Sequence, residues 1–274
     1  MSNLENISIH SMGLYSSWCY HKPSRILFDC GECCAINFRN EIYGVERIML
    51  SHMHLDHIAG LPSFIGIRNS GRGDRGKPLD IYYPKDSHQY MKPMMDFIYA
   101  TYGNKLSYKV SFIPIEAGFT LELTEDSYLK AFSMKHIKNG TTLGYKIVQK
   151  RNRLKPEYVG KDIASLIHSG VNKANLTESY EANEFAYCLD SSGFDYEEIR
   201  DCGLAIMDST FLNKNDRDDL THFTLDEVVS ICKNMNVKKV VCAHISPRYN
   251  VSEIRKAFEN VPSNFIYHSP KIDS

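Results

Sequence analysis

This sequence of 274 residues predicts an α/β protein in which two mixed sheets lie face to face between flanking helices. Three observations lead there. Strand-like runs rich in Ile, Val, Phe and Tyr recur along the chain, bounded by Gly, Pro, Asn or Asp. Stretches with apolar residues at three- and four-residue spacing fall between many of them, which is the helical pattern. So many half-apolar strands need covering on both sides, and a helix-flanked sandwich covers them.

In chain order, strands are expected at residues 26–30, 45–50, 79–83, 108–115, 119–123, 128–134, 143–149, 185–189, 204–207, 239–243 and 264–267. Helices are expected at 87–102, 225–235 and 251–259. Thr224, followed three residues on by Glu227, is a capping-box pattern that starts a helix just after His222. The stretch "NSGRGDRGKP" at 69–78 reads as a glycine-rich, basic surface turn and matches no phosphate-binding loop. Residues 150–183 are the most polar long stretch, an excursion with one short helix near 161–168. The even spread of apolar residues favours one domain over 1–274.

Composition narrows the function classes. Hydrophobic residues at 43% beside 24% charged are those of an ordinary soluble globular protein. The formal net charge of -1 supplies no general basic field for a long polyanion. No apolar run approaches membrane-spanning length, and the first residues lack a secretory pattern, so a cytoplasmic location is expected. The eight cysteines, several inside strand-like runs, read as reduced core residues. Cys30 and Cys33 form a C-x-x-C beside Cys34, with no second pair to complete a structural zinc site.

Chemistry concentrates in "IMLSHMHLDHIAGLP" at 48–62, where His52, His54, Asp56 and His57 follow an apolar run. Imidazole and carboxylate are the donors a zinc-class metal takes. His52 and His54 point the same way and can grip one ion together, whereas Asp56 and His57 follow the turn into a helix and can face a second. Further donors end later strands: His136 after "YLKAFSMK", Asp190 after "FAYCL" and His244 after "KKVVCA". Together these make a seven-donor set.

With those residues in place, the chain resembles the metallo-β-lactamase superfamily over nearly its full length, and more narrowly the ribonuclease Z group. "ILFDCGE" resembles the group's early strand, whose aspartate, here Asp29, supports the ligands. "SHMHLDHIAGLP", "HIKNGTTLGYKI", "YCLDSS" and "CAHISPRY" resemble its metal-binding motifs. The resemblance implies an αββα sandwich with two zinc ions at its rim, manganese being the alternative. His52, His54 and His136 would hold one ion; Asp56, His57 and His244 the other; Asp190 would bridge. It implies a homodimer. It also implies that Asp208 and His222 assist at the phosphate, although the group usually carries glutamate where this chain has Asp208.

The implied reaction is hydrolysis of a phosphodiester. Asp56 would orient the attacking water or take its proton while ligating, and His222, held by Asp208, would donate to the phosphate or leaving oxygen. Arg248 would neutralise phosphate charge, with Ser246 beside it, and Tyr15, Tyr20 or Tyr145 would stack on a base. Ribonuclease Z enzymes grasp precursor tRNA with an arm between the third motif and the bridging aspartate. Here the 53 residues between His136 and Asp190 show no arm pattern. The N-terminal glycine- and threonine-rich loop is replaced by "SMGLYSSWCYHKPS". The sequence therefore favours a small phosphodiester, a cyclic mononucleotide such as cyclic CMP or cyclic UMP. Phage enzymes that counter the bacterial Pycsar defence are relatives of that kind. Trimming of tRNA 3′ trailers is the alternative.

Overall fold

The computed structural model describes residues 4–70, 76–218 and 220–268, so much of the basic turn at 69–78 lies outside the described residues. One sheet runs in the order β1 (Ile7–Met12), β2 (Ser16–His21), β3 (Ile26–Phe28), β4 (Arg47–Met49), β5 (Leu79–Pro84) and β6 (Val110–Ile115). The first three strands are antiparallel neighbours, and β3 to β6 are parallel. The second sheet contains β7 (Thr120–Thr124), β8 (Ser127–Lys135), β9 (Thr142–Leu154), β10 (Thr177–Cys188), β11 (Gly193–Phe194), β12 (Leu204–Asp208), β13 (Val240–Ala243) and β14 (Phe265–Tyr267). Its order is β11-β8-β9-β10-β12-β13-β14, with β7 beside β8.

Helices cover both outer faces: α1 (Cys34–Phe38), α2 (Leu55–Ile58), α3 (Leu61–Ser70) and α4 (His88–Tyr102) belong to the first half, and α7 (Leu225–Asn234) and α8 (Val251–Phe258) to the second. Alternation along the strands explains the layering. Phe28, Met49 and Tyr82 pack inward on Tyr145, Phe185, Tyr187 and Ile206 of the facing sheet. Their neighbours Leu27, Ile48, Ile81 and Tyr83 join a cluster with Phe38, Phe64, Ile65 and Ile98 of α1, α3 and α4. On the far side Ala186, Cys188, Met207 and Cys242 pack on Val228 and Cys232 of α7. This is the αββα order. The capping box of α7 forms as its sequence predicts, with the Thr224 amide donating to Glu227 Oε2 at 3.0 Å.

All eleven expected strands are present with ends shifted by a few residues, and β1, β2 and β11 are additional. β2 gave no periodic signal because all six of its residues, "SSWCYH", are buried. Every cysteine is free, and all but Cys33 are buried. Among the described residues no helix is long and apolar enough to cross a membrane.

The segment at 150–183 departs furthest from its sequence reading. β8 pairs with β9 only as far as Gln149, and β12 pairs with β10 only from Phe185 onward. Beyond those points Lys150–Leu154 and Thr177–Glu181 pair with each other, from Lys150↔Glu181 to Leu154↔Thr177. A two-stranded ribbon therefore leaves the sandwich, crowned by the helices α5 (Ile163–His168) and α6 (Lys173–Leu176). The chain has an arm where its sequence showed no arm pattern.

The strand directions set up the site. β10, β12 and β13 are parallel, and β8, antiparallel to β9, runs the same way as β10. The residues that follow β8, β10, β12 and β13 thus gather at one rim, where they meet the loop after β4.

Candidate metal centre

The loop after β4 is pinned before it reaches its histidines. The Leu50 amide donates to Tyr82 O at 2.9 Å, and Leu143 N donates to Ser51 O at 2.9 Å, which ties the two sheets together. His54 is extended at the N-terminus of α2, whose single turn carries Asp56 and His57. Gly60 returns its amide to Cys30 O at 2.8 Å. A Cβ at Gly60 would run into the Gly31 carbonyl, and one at Gly31 would strike Asp56 O, so these glycines let two backbones touch under the metal loop.

Three site residues follow strand ends in the left-handed region: Asp29 at φ 56°, Asp190 at φ 55° and His244 at φ 61°. This reversal ends each strand and redirects the side chain into the rim. Asp and His are among the few non-glycine residues enriched there. The cost of such backbone, about 1–3 kcal/mol each, is tolerated where surrounding structure enforces it.

The seven donors converge as two groups sharing one carboxylate: His52, His54, His136 and Asp190, and Asp56, His57, Asp190 and His244. Asp190 Oδ2 lies 3.8 Å from His52 Nε2, 3.6 Å from His136 Nε2 and 3.2 Å from His57 Nε2. Asp190 Oδ1 is 3.1 Å from His244 Nε2. His136 Nε2 faces His54 Nδ1 at 3.2 Å, and Asp56 Oδ2 is 3.6 Å from His57 Nε2 and 3.7 Å from His244 Nε2. Two donors on one tetrahedral zinc at about 2.0–2.1 Å sit about 3.3 Å apart. The spacing is that of ligand pairs.

Unmet polar atoms give an independent test. The buried His52 Nε2, His57 Nε2, His244 Nε2 and Asp190 Oδ1 have no hydrogen-bond partner among the described residues. Buried polar atoms are nearly always paired, so four orphans distributed over the two donor groups fit cations.

The far side of each ring is held, and the holding fixes its tautomer. Ser51 gives its hydroxyl proton to Asp29 Oδ2 at 2.8 Å and so accepts from His52 Nδ1 at 2.9 Å. His57 Nδ1 donates directly to Asp29 Oδ2 at 2.7 Å. Thr210 gives its proton to Asp208 Oδ1 at 2.8 Å and accepts from His244 Nδ1 at 2.9 Å. His136 Nδ1 donates to Thr221 O at 3.1 Å. In all four rings Nε2 is thereby the lone-pair atom a metal needs.

His222 joins the cluster from the loop before α7. Its Nδ1 donates to Asp208 Oδ2 at 2.7 Å, and its ring stacks on His244 with centroids 5.2 Å apart. The shorter aspartate thus reaches the histidine. Asp208 also accepts from the amides of Ser191 and Thr210, each at 2.9 Å, which fixes its carboxylate.

Other expected residues stand differently. Arg248 donates to Asp216 O at 2.8 Å and Asp218 Oδ2 at 2.6 Å, lies over the Phe211 ring, and contacts Ser246 Oγ at 3.2 Å. These bonds make Arg248 a brace for the 216–218 loop and lend no support to a phosphate contact. Tyr145 is fully buried, donating to Leu50 O at 2.6 Å, and Tyr20 is buried, so neither can stack on a base; Tyr15 is exposed. The supporting hydroxyls of Ser51, Thr210 and Tyr187 went unnoticed in the sequence. For Ser51 and Thr210 a signal was available, since each sits within two residues of a site residue.

The charges explain how the pocket behaves without ions. Burial, with the neighbouring His57, drives His52 well below the ordinary histidine range. Burial likewise lowers His54 and His136. Burial also pushes His57 down, but the Asp190 and Asp29 carboxylates outweigh it and leave this ring well above the usual range. Asp190 is held low by His244 and His57 against the opposing effect of burial. Both carboxylates therefore favour positive charge at the His57 ring.

No family model matches the sequence. Two curated relatives from Arabidopsis thaliana are each 26% identical to it. The alignment to tRNase Z TRZ1 covers 89% of this chain and 86% of the relative. The alignment to the chloroplastic tRNase Z TRZ2 covers 85% of this chain and 65% of the relative, so the chain spans just under two thirds of that protein. Among solved structures, the metallo-β-lactamase fold protein YhfI from Bacillus subtilis superposes with a TM-score of 0.65 at 17% identity, covering 96% of this chain and 95% of that one. The fold is the metallo-β-lactamase fold, and the donor cluster it carries is suited to metal-dependent hydrolysis. In sequence the chain is similar to the proteins named tRNase Z.

Two outcomes follow from this geometry. Asp29→Asn removes charge from the carboxylate that holds both His52 and His57, and zinc affinity falls about 10- to 100-fold in a chelator competition; unchanged affinity would refute the anchoring role. Metal binding must also expel the His57 proton, so about one proton is released near neutral pH and affinity drops as pH falls. Calorimetry in buffers of different ionisation enthalpy measures this, and heats independent of buffer would contradict it.

Proposed function

We propose that this protein is a dinuclear metal phosphodiesterase that cuts RNA, removing 3′ trailers from precursor tRNA. The observation that carries the proposal is the coincidence, in one chain, of the two-group donor cluster with a projecting arm. Residues 150–176 of the arm contain six basic and two acidic residues, a local excess suited to a phosphate backbone despite the near-neutral whole, although Glu178, Glu181 and Glu184 temper it. The relatives named tRNase Z support the same substrate class.

His52, His54 and His136 would hold one ion and Asp56, His57 and His244 the other, with Asp190 between them; the imidazole-rich set suits zinc, and manganese is the alternative. Bound there, the ions would supply Lewis-acid charge to the phosphoryl oxygen and lower the pKa of a water towards neutrality. The protein's own groups do the rest. Asp56, half-buried at the mouth, is placed to orient the attacking water and accept its proton. His222 has Nδ1 fixed by Asp208, so Nε2 is the atom that passes a proton to the leaving oxygen. The rings packed around these groups exclude bulk water and strengthen each charge contact.

β10 runs from the arm towards the site, with 13 residue steps from Thr177 to Asp190, or about 40 Å at strand rise. Arm and centre therefore lie at opposite ends of one strand. An RNA gripped by the arm of one copy is presented to the centre of a second, which gives the expected homodimer a purpose.

Zinc-loaded protein incubated with a precursor tRNA and, separately, with cyclic CMP and cyclic UMP discriminates the substrates. We expect trimming of the tRNA, reduced about 10²- to 10⁴-fold in His222→Ala. Efficient opening of the cyclic mononucleotides with intact tRNA would reinstate the small-phosphodiester reading. Mixing an arm-deleted chain with His222→Ala chains should restore trimming, since one copy then contributes the arm and the other the centre. Failure of the mixture, with both chains folded and dimeric, would overturn the shared arrangement.

A further inference from the structure

The three most exposed large apolar side chains among the described residues are Leu14 at 83%, Leu220 at 78% and Leu55 at 71%. Scattered exposed leucines need no explanation, but these are not scattered. Leu55 stands between His54 and Asp56 on the first turn of α2. Leu220 is two residues before His222, and its neighbour Thr221 accepts from His136 Nδ1. Leu14 tips the β1–β2 turn, and Gly13 beside it lies so close to His244 that a Cβ there would meet the His244 backbone oxygen at 3.3 Å and its ring at 3.4 Å. Tyr15, 60% exposed, completes the turn. Three separate segments thus place exposed apolar groups beside site residues.

Leu14 is also held in a conformation that leucine avoids, at φ 71°. A left-handed, non-glycine residue at a turn tip carries strain that glycine or asparagine would relieve, and such strain gathers at sites that bind ligands.

We propose that Leu14, Tyr15, Leu55 and Leu220 form an apolar collar that receives the unpaired nucleobase next to the attacked phosphate. This rests on the phosphodiesterase reading of the centre. A phosphodiester seated on the donor cluster must place its organic substituents within one nucleoside's length of phosphorus, which is where the collar stands. Of the groups a nucleotide offers, only the base has a flat apolar face for Tyr15 to stack on and for leucines to clamp. Sugar and phosphate are polar and would meet nothing in leucine. A base supplied by a tRNA end and one supplied by a cyclic mononucleotide present the same face.

The test compares two phosphodiesters with the same leaving group, thymidine 5′-(p-nitrophenyl phosphate) and methyl p-nitrophenyl phosphate, on the zinc-loaded full chain. The wild-type protein should favour the nucleoside ester in kcat/KM. Leu14→Ser with Tyr15→Ala should reduce that preference about tenfold or more, mainly through KM, whereas Tyr15→Phe retains it. Leu220→Ser should act in the same direction. Phe97→Ala, which removes an equally exposed ring from the middle of α4, should leave the preference intact. If neither ester is hydrolysed, the phosphodiesterase reading itself fails. If both are hydrolysed and the collar variants keep the wild-type preference, the collar is wrong and the centre stands. Repeating the KM comparison with precursor tRNA and with cyclic CMP identifies the source of the base, which is the substrate that the wild-type protein hydrolyses efficiently and whose KM rises in the collar variants.

Discussion

Everything at the rim hangs from a carboxylate that touches no solvent. Asp29 receives the Ser51 amide on Oδ1 at 2.7 Å and, on Oδ2, the Ser51 hydroxyl at 2.8 Å, His57 Nδ1 at 2.7 Å and the Tyr187 hydroxyl at 2.8 Å. Those donors come from the loop after β4, from α2 and from the opposite sheet. Burying an unpaired carboxylate is prohibitive, so the chain must bring all these groups to Asp29 or leave the charge unsatisfied. The sandwich closes and the metal loop is oriented by the same four bonds. Asp208 repeats the arrangement on the other side, with the amides of Ser191 and Thr210, the Thr210 hydroxyl and His222. Two buried acids, neither assigned to an ion, thereby orient His52, His57, His244 and His222.

This division of labour separates what must be rigid from what must be reached. The Nδ1 sides of the rings lie inside hydrogen-bond networks, and the Nε2 sides converge where the orphaned atoms are. His54 alone of the imidazoles in the two donor groups is exposed, and it marks the mouth. The carboxylates of Asp190 and Asp29 favour positive charge at His57, so the centre is built to accept cationic charge between its two buried acids.

How much of this was legible in the sequence depended on whether a residue's role was local. His52, His54, Asp56 and His57 announced themselves by crowding, and His136, Asp190 and His244 by each ending an apolar run. Asp208 and His222, 14 positions apart, meet because strand β12 and the 210–224 loop bring them together. The arm was illegible for a physical reason. "KRNRLK" and "TESYEANE" form a ribbon in which no residue is buried, and strands with no buried face have no apolar alternation to display. The β1–β2 hairpin was missed for the opposite reason, because β2 is buried on both sides and polar in composition. The bracing role of Arg248 was illegible because its partners, Asp216 and Asp218, lie about 30 positions away in the chain.

The left-handed backbone at Asp29, Asp190 and His244 limits how this centre could be rebuilt. Aspartate and histidine serve there both as donors and as residue types that accept the reversed turn. Exchanging one for glutamate or cysteine would alter ligand reach or softness and also ask an unsuited residue to hold a left-handed bend. The metal set and the chain's handedness are coupled constraints, and neither can drift without the other. The segments bearing Leu55 and Leu220 carry no such double duty. A lineage built on this scaffold would diversify by repainting its mouth while the interior coordination stays frozen.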